Sequence, residues 1–187
     1  GKPIHWSREG VENFWRWFSD SKVVDDQGRP LVVYHGTKGD FDVFNAMGAG
    51  AVGVPDLQRG VSGGSNSATT SPIWLTTDPT QAFTDGAEGS NVMPLYVRIE
   101  TPLRRRGYFG MDDFSNPSRF KWFDNGAQKW ITPDGVIGEN GVVVAFSPEQ
   151  IKSATGNNGD FDASNPDIRY SKASQTIRSA VGAVTGA

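Results

Sequence analysis

The 187-residue sequence contains no cysteine and only two histidines. The absence of cysteine excludes disulfide bonds, thiolate zinc sites and a cysteine nucleophile. A catalytic base of the most common type, histidine, can therefore only be His5 or His35. We expect His5 to lie in a frayed terminus, which leaves His35 as the better candidate.

Long apolar runs and a strong excess of one charge are also lacking. No run approaches the ~20 residues that a membrane-spanning helix needs, and the first residues do not resemble a signal peptide. The net charge of −3 gives no general attraction to nucleic acid or to anionic membranes. Arg104 to Arg106, close in sequence to Tyr108 and Phe109, could contact nucleic acid locally. Solvated loop charges are the alternative interpretation.

The hydrophobic pattern predicts many short strands and few helices, which is typical of an α+β or mostly β domain. One helix is predicted over residues 8–20 with Ser7 as its cap, and a second helix begins at Asp78 and Pro79. The buried stripe of the first helix should consist of Val11, Phe14, Trp15 and Phe18. Strands are predicted at residues 23–24, 31–34, 73–77, 93–100, 130–131, 135–137, 142–146 and 150–153.

Three segments have a less regular pattern. The Gly/Ser composition of residues 60–71 predicts a flexible loop. Residues 103–128 are basic and aromatic without a clean period, and we expect a variable excursion there. Residues 41–44, with two phenylalanines and a valine, predict a short strand or an apolar turn.

The segment Val32 to Thr37 is the first that could carry chemistry. His35 ends an apolar strand and Gly36 follows it, so an imidazole lies beside a backbone that a ligand can approach closely. The backbone N–H and C=O of Gly36 can pair with a ligand that bears an amide. A hydrogen-bonded structural histidine is the alternative interpretation.

Several motifs together resemble ADP-ribosyltransferases of the diphtheria-toxin type. They are Tyr34-His35-Gly36-Thr37 after a strand, a glycine-rich loop, an aromatic-x-Thr-Thr-Asp strand end at 74–78, and Phe146 to Asn157. The sequence is most similar to the ADP-ribosyltransferase domains of polyvalent phage proteins and polymorphic toxins, over residues 11–46, 73–103 and 135–170. The resemblance implies an α+β fold with two small, mostly antiparallel sheets around an NAD cleft and with peripheral helices. The domain is expected at 1–170, and the Ser/Ala/Gly/Thr-rich composition of residues 171–187 predicts a flexible or weakly helical tail.

The resemblance also implies a ligand and a set of binding residues. NAD+ would be the substrate, with no metal. His35 would contact the adenosine ribose, and the backbone of Gly36 would contact the nicotinamide carboxamide. Tyr34 and Thr37, on either side of these two residues, would also belong to the binding site. Trp74, Thr76 and Phe83 stand where the family lines the nicotinamide, and Trp74 or Phe83 could stack on the cationic ring. Plain core packing is the alternative for both aromatic residues.

The catalytic carboxylate is the least defined part of this site. In the family it belongs at the start of the strand written here as 142–146, where this sequence has Val142. Glu149 and Gln150 are equal candidates to replace it, and Glu139 comes after them. The predicted catalytic set is therefore His35, Glu149 and Gln150.

The function implied is that of a mono-ADP-ribosyltransferase, a phage-derived or bacterial toxin or effector. Its target would be a protein, with nucleic acid as the alternative. An immunity protein could accompany it. It would be soluble, without a membrane partner, and act in the cytoplasm of a target or host cell. An NAD+ glycohydrolase that uses water at the same site, and a degenerate module that binds NAD or a partner, remain open.

Overall fold

The computed structural model describes residues 3–37, 41–44, 72–86, 91–107 and 121–169. The loop predicted at 60–71 and the tail predicted at 171–187 lie outside these residues, as does the side chain of Phe83. In the described part of the chain, no helix is long and apolar enough to cross a membrane.

Helix α1, Arg8–Phe18, confirms the first predicted helix. The Ser7 hydroxyl accepts a hydrogen bond from the Gly10 N–H at 3.0 Å and so caps the first turn. The predicted stripe is wrong at one position, because Trp15 is 47% exposed and Trp17 is buried instead. Trp17 packs against Phe161, and its indole N–H donates to the Glu149 carbonyl at 3.3 Å.

His5 is not frayed, contrary to the prediction. Its Nδ1 lies 2.9 Å from the Ser7 hydroxyl oxygen. The imidazole fills the space beside two glycines, since a Cβ on Gly10 would lie 2.0 Å from His5 Nδ1 and one on Gly159 would lie 2.8 Å from Cε1. His5 therefore joins the start of α1 to the C-terminal part of the domain.

The strands form one seven-stranded sheet and one separate hairpin. In chain order they are β1 Val33–Thr37, β2 Ile73–Thr76, β3 Asn91–Val97, β4 Pro102–Arg105, β5 Trp122–Asp124, β6 Lys129–Ile131, β7 Gly135–Gly138, β8 Val142–Ala145 and β9 Ile151–Ser153. The large sheet has the order β4-β7-β8-β2-β1-β3-β9, and β5 pairs with β6 in the hairpin. The β4/β7 pair is parallel, and the other described pairs are antiparallel. Helix α2, Pro79–Gly86, follows β2.

This architecture confirms the predicted α+β class with two mostly antiparallel sheets. The predicted positions of β2, β6, β7, β8 and β9 agree with the structure to within one or two residues. Residues 23–32 differ, because they contribute an isolated bridge between Val24 and Pro30 and not a pair of strands. The sequence predicts that Pro102 ends the strand before it, but Pro102 is instead the first residue of β4. Proline lacks a backbone N–H and is tolerated at the first position of a strand.

The core has two main parts. One packs α1 against Tyr96 and Phe161. The other lies on one face of the central strands and includes Val33, Phe44, Ile73, Leu75, Leu95, Val97, Val143 and Ile151. Burial of these side chains is the main term that stabilises the sheet.

A buried lysine fixes the C-terminal segment to this sheet. Lys152 on β9 is 1% exposed, and its Nζ donates to the carbonyls of Asn165 at 2.5 Å and Asp167 at 3.1 Å. In the same segment the side chains of Asp162 and Asn165 accept hydrogen bonds from nearby backbone N–H groups. These residues therefore build turns, as their types predict.

Lys152 should make stability depend on pH in the alkaline range. Burial lowers its pKa from 10.5 to about 8. Between pH 8 and pH 10.5 the unfolded chain binds more protons at this lysine than the folded chain does. The free energy of unfolding should therefore rise with pH across this range, and it should be lower below pH 8 than above pH 10.5. Lys152→Met should remove this rise. Near pH 7 the variant should also lose about 1–3 kcal/mol, because two carbonyls lose their donor. Urea unfolding of both proteins across this pH range measures the difference, and parallel curves would contradict the prediction.

Candidate functional site

His35 lies inside strand β1, near the centre of the large sheet. The prediction had placed it at the end of a strand. On one side β1 pairs with β3 along its whole length, from Val33↔Leu95 to Thr37↔Asn91. On the other side it pairs with β2 through Tyr34↔Thr76. β2 pairs with β8 over all of Ile73–Thr76, whereas no registered pair joins β1 to β2 beyond Tyr34, and this stretch without registered pairs is called the opening below.

The imidazole of His35 bridges this opening. Its Nδ1 lies 2.8 Å from the Trp74 carbonyl oxygen. A carbonyl can only accept, so Nδ1 carries the proton. Burial lowers the pKa of His35 below its ordinary value of 6.5, and the hydrogen bond to Trp74 opposes this less strongly. The ring is therefore neutral near pH 7, and Nε2 is the atom that can accept a hydrogen bond from a ligand hydroxyl.

Two phenylalanines form the wall around this imidazole. The ring centre of Phe44 lies 4.9 Å from that of His35 in an edge-to-face arrangement, and Phe41 is 6.2 Å away. Both come from the 41–44 segment, whose pattern predicted only a strand or an apolar turn. Sequence reasoning missed their role. The available signal was the pair of aromatic residues that follows His-Gly-Thr by a few positions.

The C-terminal segment holds these phenylalanines in place. The Ile168 N–H donates to the Asp42 carbonyl at 2.8 Å, and an Arg169 N–H donates to the Phe41 carbonyl at 3.2 Å. Arg169 Nε also lies 2.6 Å from a carboxylate oxygen of Asp42. An isolated bridge between Val43 and Asp167 completes the contact. The surroundings of His35 thus depend on residues more than 120 positions later in the chain.

We expect Arg169→Ala to raise the pKa of His35 towards 6.5, because Phe41 and Phe44 lose an anchor and cover the ring less well. NMR titration of the histidine rings measures this shift. Arg8→Ala is the matched control, since the Arg8 side chain is 93% exposed on α1. An unchanged pKa in Arg169→Ala would mean that the anchor does not control the site.

The other predicted binding residues divide between two faces of the sheet. The backbone carbonyl of Trp74 accepts the hydrogen bond from His35, but the indole of Trp74 packs against Val136, Val144 and Phe146. Because side chains alternate along a strand, Thr76 shares the face of Trp74, and its cross-strand partner Tyr34 shares it too. His35 projects to the opposite face. The structure therefore does not bring the Trp74 ring to the imidazole.

Thr76 and Thr37 are both buried. The Thr76 hydroxyl donates to Gln81 Oε1 at 2.8 Å and accepts from the Asp78 N–H at 3.1 Å, so it joins β2 to α2. Thr37 is 2% exposed at the end of β1. Gly36, between His35 and Thr37, has Val92 as its β3 partner. The backbone of Phe83 lies in α2.

Glu149 and Gln150 lie at the other end of the sheet from His35. His35 pairs with Met93 near the start of β3, whereas Ile151 pairs with Val97 at its end. The Gln150 side chain is 7% exposed and engaged at both ends. Its oxygen accepts from the N–H groups of Phe146 and Ser147, and its nitrogen donates to the carbonyls of Arg98 and Asp134. The carboxylate of Glu149 accepts from the Ser147 hydroxyl.

Glu139 lies in the turn that leads into β8. It is the residue after β7, and its carboxylate pairs with Arg106 Nε at 2.9 Å. Val142 begins β8 and pairs with Thr76, which in turn pairs with Tyr34. The strands β1, β2 and β8 are adjacent in this order. His35 lies on β1, and the position where the family has its glutamate lies on β8. Of the three candidate polar residues, Glu139 is nearest to it in sequence.

The α+β fold, with a mostly antiparallel seven-stranded sheet, a separate two-stranded sheet and few helices, is consistent with that of an ADP-ribosyltransferase. Residues 25–161 match the family described as ADP-ribosyltransferase in polyvalent proteins. The chain belongs to this family, and the matched residues include all nine described strands. No curated protein and no solved structure matches the chain.

Proposed function

We propose that the protein binds NAD+ in the opening between β1 and β2 and transfers its ADP-ribose to a macromolecular acceptor. The observation that carries the proposal is the His35 imidazole. It is fixed through Nδ1 to the Trp74 carbonyl, is neutral, and offers Nε2 as an acceptor inside that opening. Membership of the ADP-ribosyltransferase family supports the same activity.

His35 Nε2 accepts a hydrogen bond from a hydroxyl of the adenosine ribose. The backbone of Gly36 pairs with the nicotinamide carboxamide, because the absence of a side chain allows close approach. Tyr34 and Thr37 keep β1 in register on either side. Since the Trp74 indole packs against Val144 and Phe146, Phe83 is the aromatic residue that we assign to the nicotinamide ring.

The reaction breaks the bond between ribose C1′ and the nicotinamide nitrogen, and a nucleophile of the acceptor forms a bond to C1′ and loses its proton to solvent. The developing positive charge on the ribose favours a carboxylate. We assign this role to Glu139, because it lies next to the start of β8 and its side chain is 64% exposed. Gln150 and Glu149 instead brace the far end of the sheet.

The acceptor we propose is a protein in the cytoplasm of a target or host cell. The domain would act as a phage-derived or bacterial effector, and an immunity protein could restrain it.

Val142 favours one rival function, that of a module that binds NAD+ without turning it over, because valine cannot stabilise a cation. An NAD+ glycohydrolase would differ only in using water as the acceptor.

Incubation with NAD+ labelled on the adenylate, in a cell lysate, tests these functions together. Label that moves to a macromolecule, with release of nicotinamide, is the result we expect. Nicotinamide release without labelled macromolecule would identify a glycohydrolase. Binding of NAD+ without release would establish the non-catalytic module and overturn the proposal.

Two matched variants test the carboxylate. Glu139→Gln should lower nicotinamide release about 10–100-fold, with little change in NAD+ affinity, because the amide keeps the size but not the charge. Glu149→Gln should have nearly normal activity, since Glu149 lies at the other end of β3 from His35. The reverse order of effects would assign the role to Glu149.

A further inference from the structure

The β5/β6 hairpin is paired separately from the large sheet and exposes three large aromatic residues. Trp122 is 38% exposed, Phe123 40% and Trp130 66%. Phe123 and Trp130 are cross-strand partners with ring centres 5.6 Å apart. Antiparallel partners project from the same face, so these two rings form one exposed aromatic surface. A two-stranded hairpin gains little stability by itself, and this surface points to a bound partner.

The charges around the hairpin indicate what kind of partner. The chain has a net charge of −3, yet residues 98–107 and 121–134 together carry six basic and three acidic side chains. Lys121 and Lys129 are both exposed. Lys121 shares the face of Phe123, whereas Lys129 is the cross-strand partner of Asp124 on the opposite face. The base of the hairpin contacts the start of β4, because the Thr101 hydroxyl lies 3.5 Å from the Thr132 carbonyl oxygen.

Two of the three acidic groups are occupied by the protein itself. The Asp124 carboxylate accepts from the N–H groups of Gly126 and Ala127 at 2.8 and 3.0 Å. The Asp134 carboxylate accepts from those of Glu100 and Thr101 at 2.8 and 2.9 Å. The hairpin therefore presents aromatic rings and lysine ammonium groups to solvent. Its carboxylate, that of Asp124, is hydrogen-bonded to the backbone of the turn.

We propose that this hairpin binds single-stranded nucleic acid, with bases stacked on Phe123 and Trp130 and a phosphate paired with Lys121. Stacking on aromatic rings tolerates any base, and Lys121 follows the backbone. Single strands are favoured because the bases of a duplex are stacked on each other and do not offer their faces. The proposal does not depend on NAD+ turnover, so it stands or fails independently of the transferase activity.

Fluorescence anisotropy of a labelled single-stranded oligonucleotide, titrated with the full chain at low salt, tests this. Trp130→Ala should weaken binding about 10-fold, and Trp130→Phe should restore most of it. Trp6→Ala is the matched control, because Trp6 is 88% exposed but belongs to the N-terminal segment. Replacing both lysines by alanine should lower the slope of log affinity against log salt by about 0.7, because only Lys121 shares the aromatic face.

Circular dichroism and thermal melting check that each variant is folded. An equal affinity for a duplex of the same sequence would overturn the stacking mechanism. Binding that Trp130→Ala and the double lysine variant leave unchanged would place the strand elsewhere and overturn the proposal. An absence of any oligonucleotide binding at low salt would also overturn it and would assign the aromatic surface to a protein partner.

Discussion

Val142→Glu is expected to increase nicotinamide release about 10-fold beyond the rate that Glu139 supports, which corresponds to about 1.4 kcal/mol of further transition-state stabilisation. Val142 begins β8 beside Thr76, at the position where the family has its catalytic glutamate. Its side chain is only partly buried, on the face of the sheet that carries Tyr34 and Thr76 and not the His35 imidazole, so a longer side chain can be accommodated there. A carboxylate introduced there would oppose the positive charge that develops on the ribose. Measurement of nicotinamide release at saturating NAD+ compares the variant with the native protein.

Val142→Gln is the control for this prediction. It has nearly the same size and hydrogen-bonding capacity as glutamate but no charge, so it should leave the rate close to that of the native protein. Equal rates for the glutamate and glutamine variants would mean that a charge at the start of β8 does not reach the reacting ribose. The proposed position of NAD+ between β1 and β2 would then be wrong.

His35→Ala is expected to weaken NAD+ binding about 10–100-fold, because a ribose hydroxyl loses its only proposed acceptor and remains desolvated. The strand itself should persist, since β1 pairs with β3 along its full length. Isothermal titration calorimetry gives the affinity, and thermal melting checks the fold. Full NAD+ affinity in this variant would identify His35 as a purely structural histidine.

His5→Ala is the matched control, as the only other histidine in the sequence. It should leave NAD+ affinity unchanged and lower the melting temperature, because its ring fills the space between Gly10 and Gly159. The two histidine variants thus separate an effect on the ligand from an effect on the fold.

Much of the sheet could be predicted from the sequence, because strand periodicity and turn residues are local signals, although His35 lies inside β1 and not at its end. Which of Trp15 and Trp17 on α1 is buried could not be predicted from the nearby sequence. Both follow Phe14 within one helical turn, and Phe161, far away in the chain, determines which one is buried.

The candidate site was less predictable than the fold for a similar reason. Glu149 and Gln150 belong to a recognisable motif, but their distance from His35 depends on the register of β9 along β3. The aromatic wall of the site depends on contacts between segments 41–44 and 167–169. Neither register nor such long-range contacts leave a periodic trace in the sequence.

The contacts of Arg169 with the 41–44 segment have a consequence for synthesis of the protein. A growing chain that has emerged only through β9 already has every described strand of the large sheet, but the contacts of residues 167–169 with the 41–44 segment are not yet made. These contacts form only after residues 165–169 leave the ribosome. A prematurely terminated fragment would therefore resemble the domain in secondary structure while lacking an ordered binding site. For the transferase activity proposed above, this order of assembly would delay NAD+ binding until residues 165–169 have been translated.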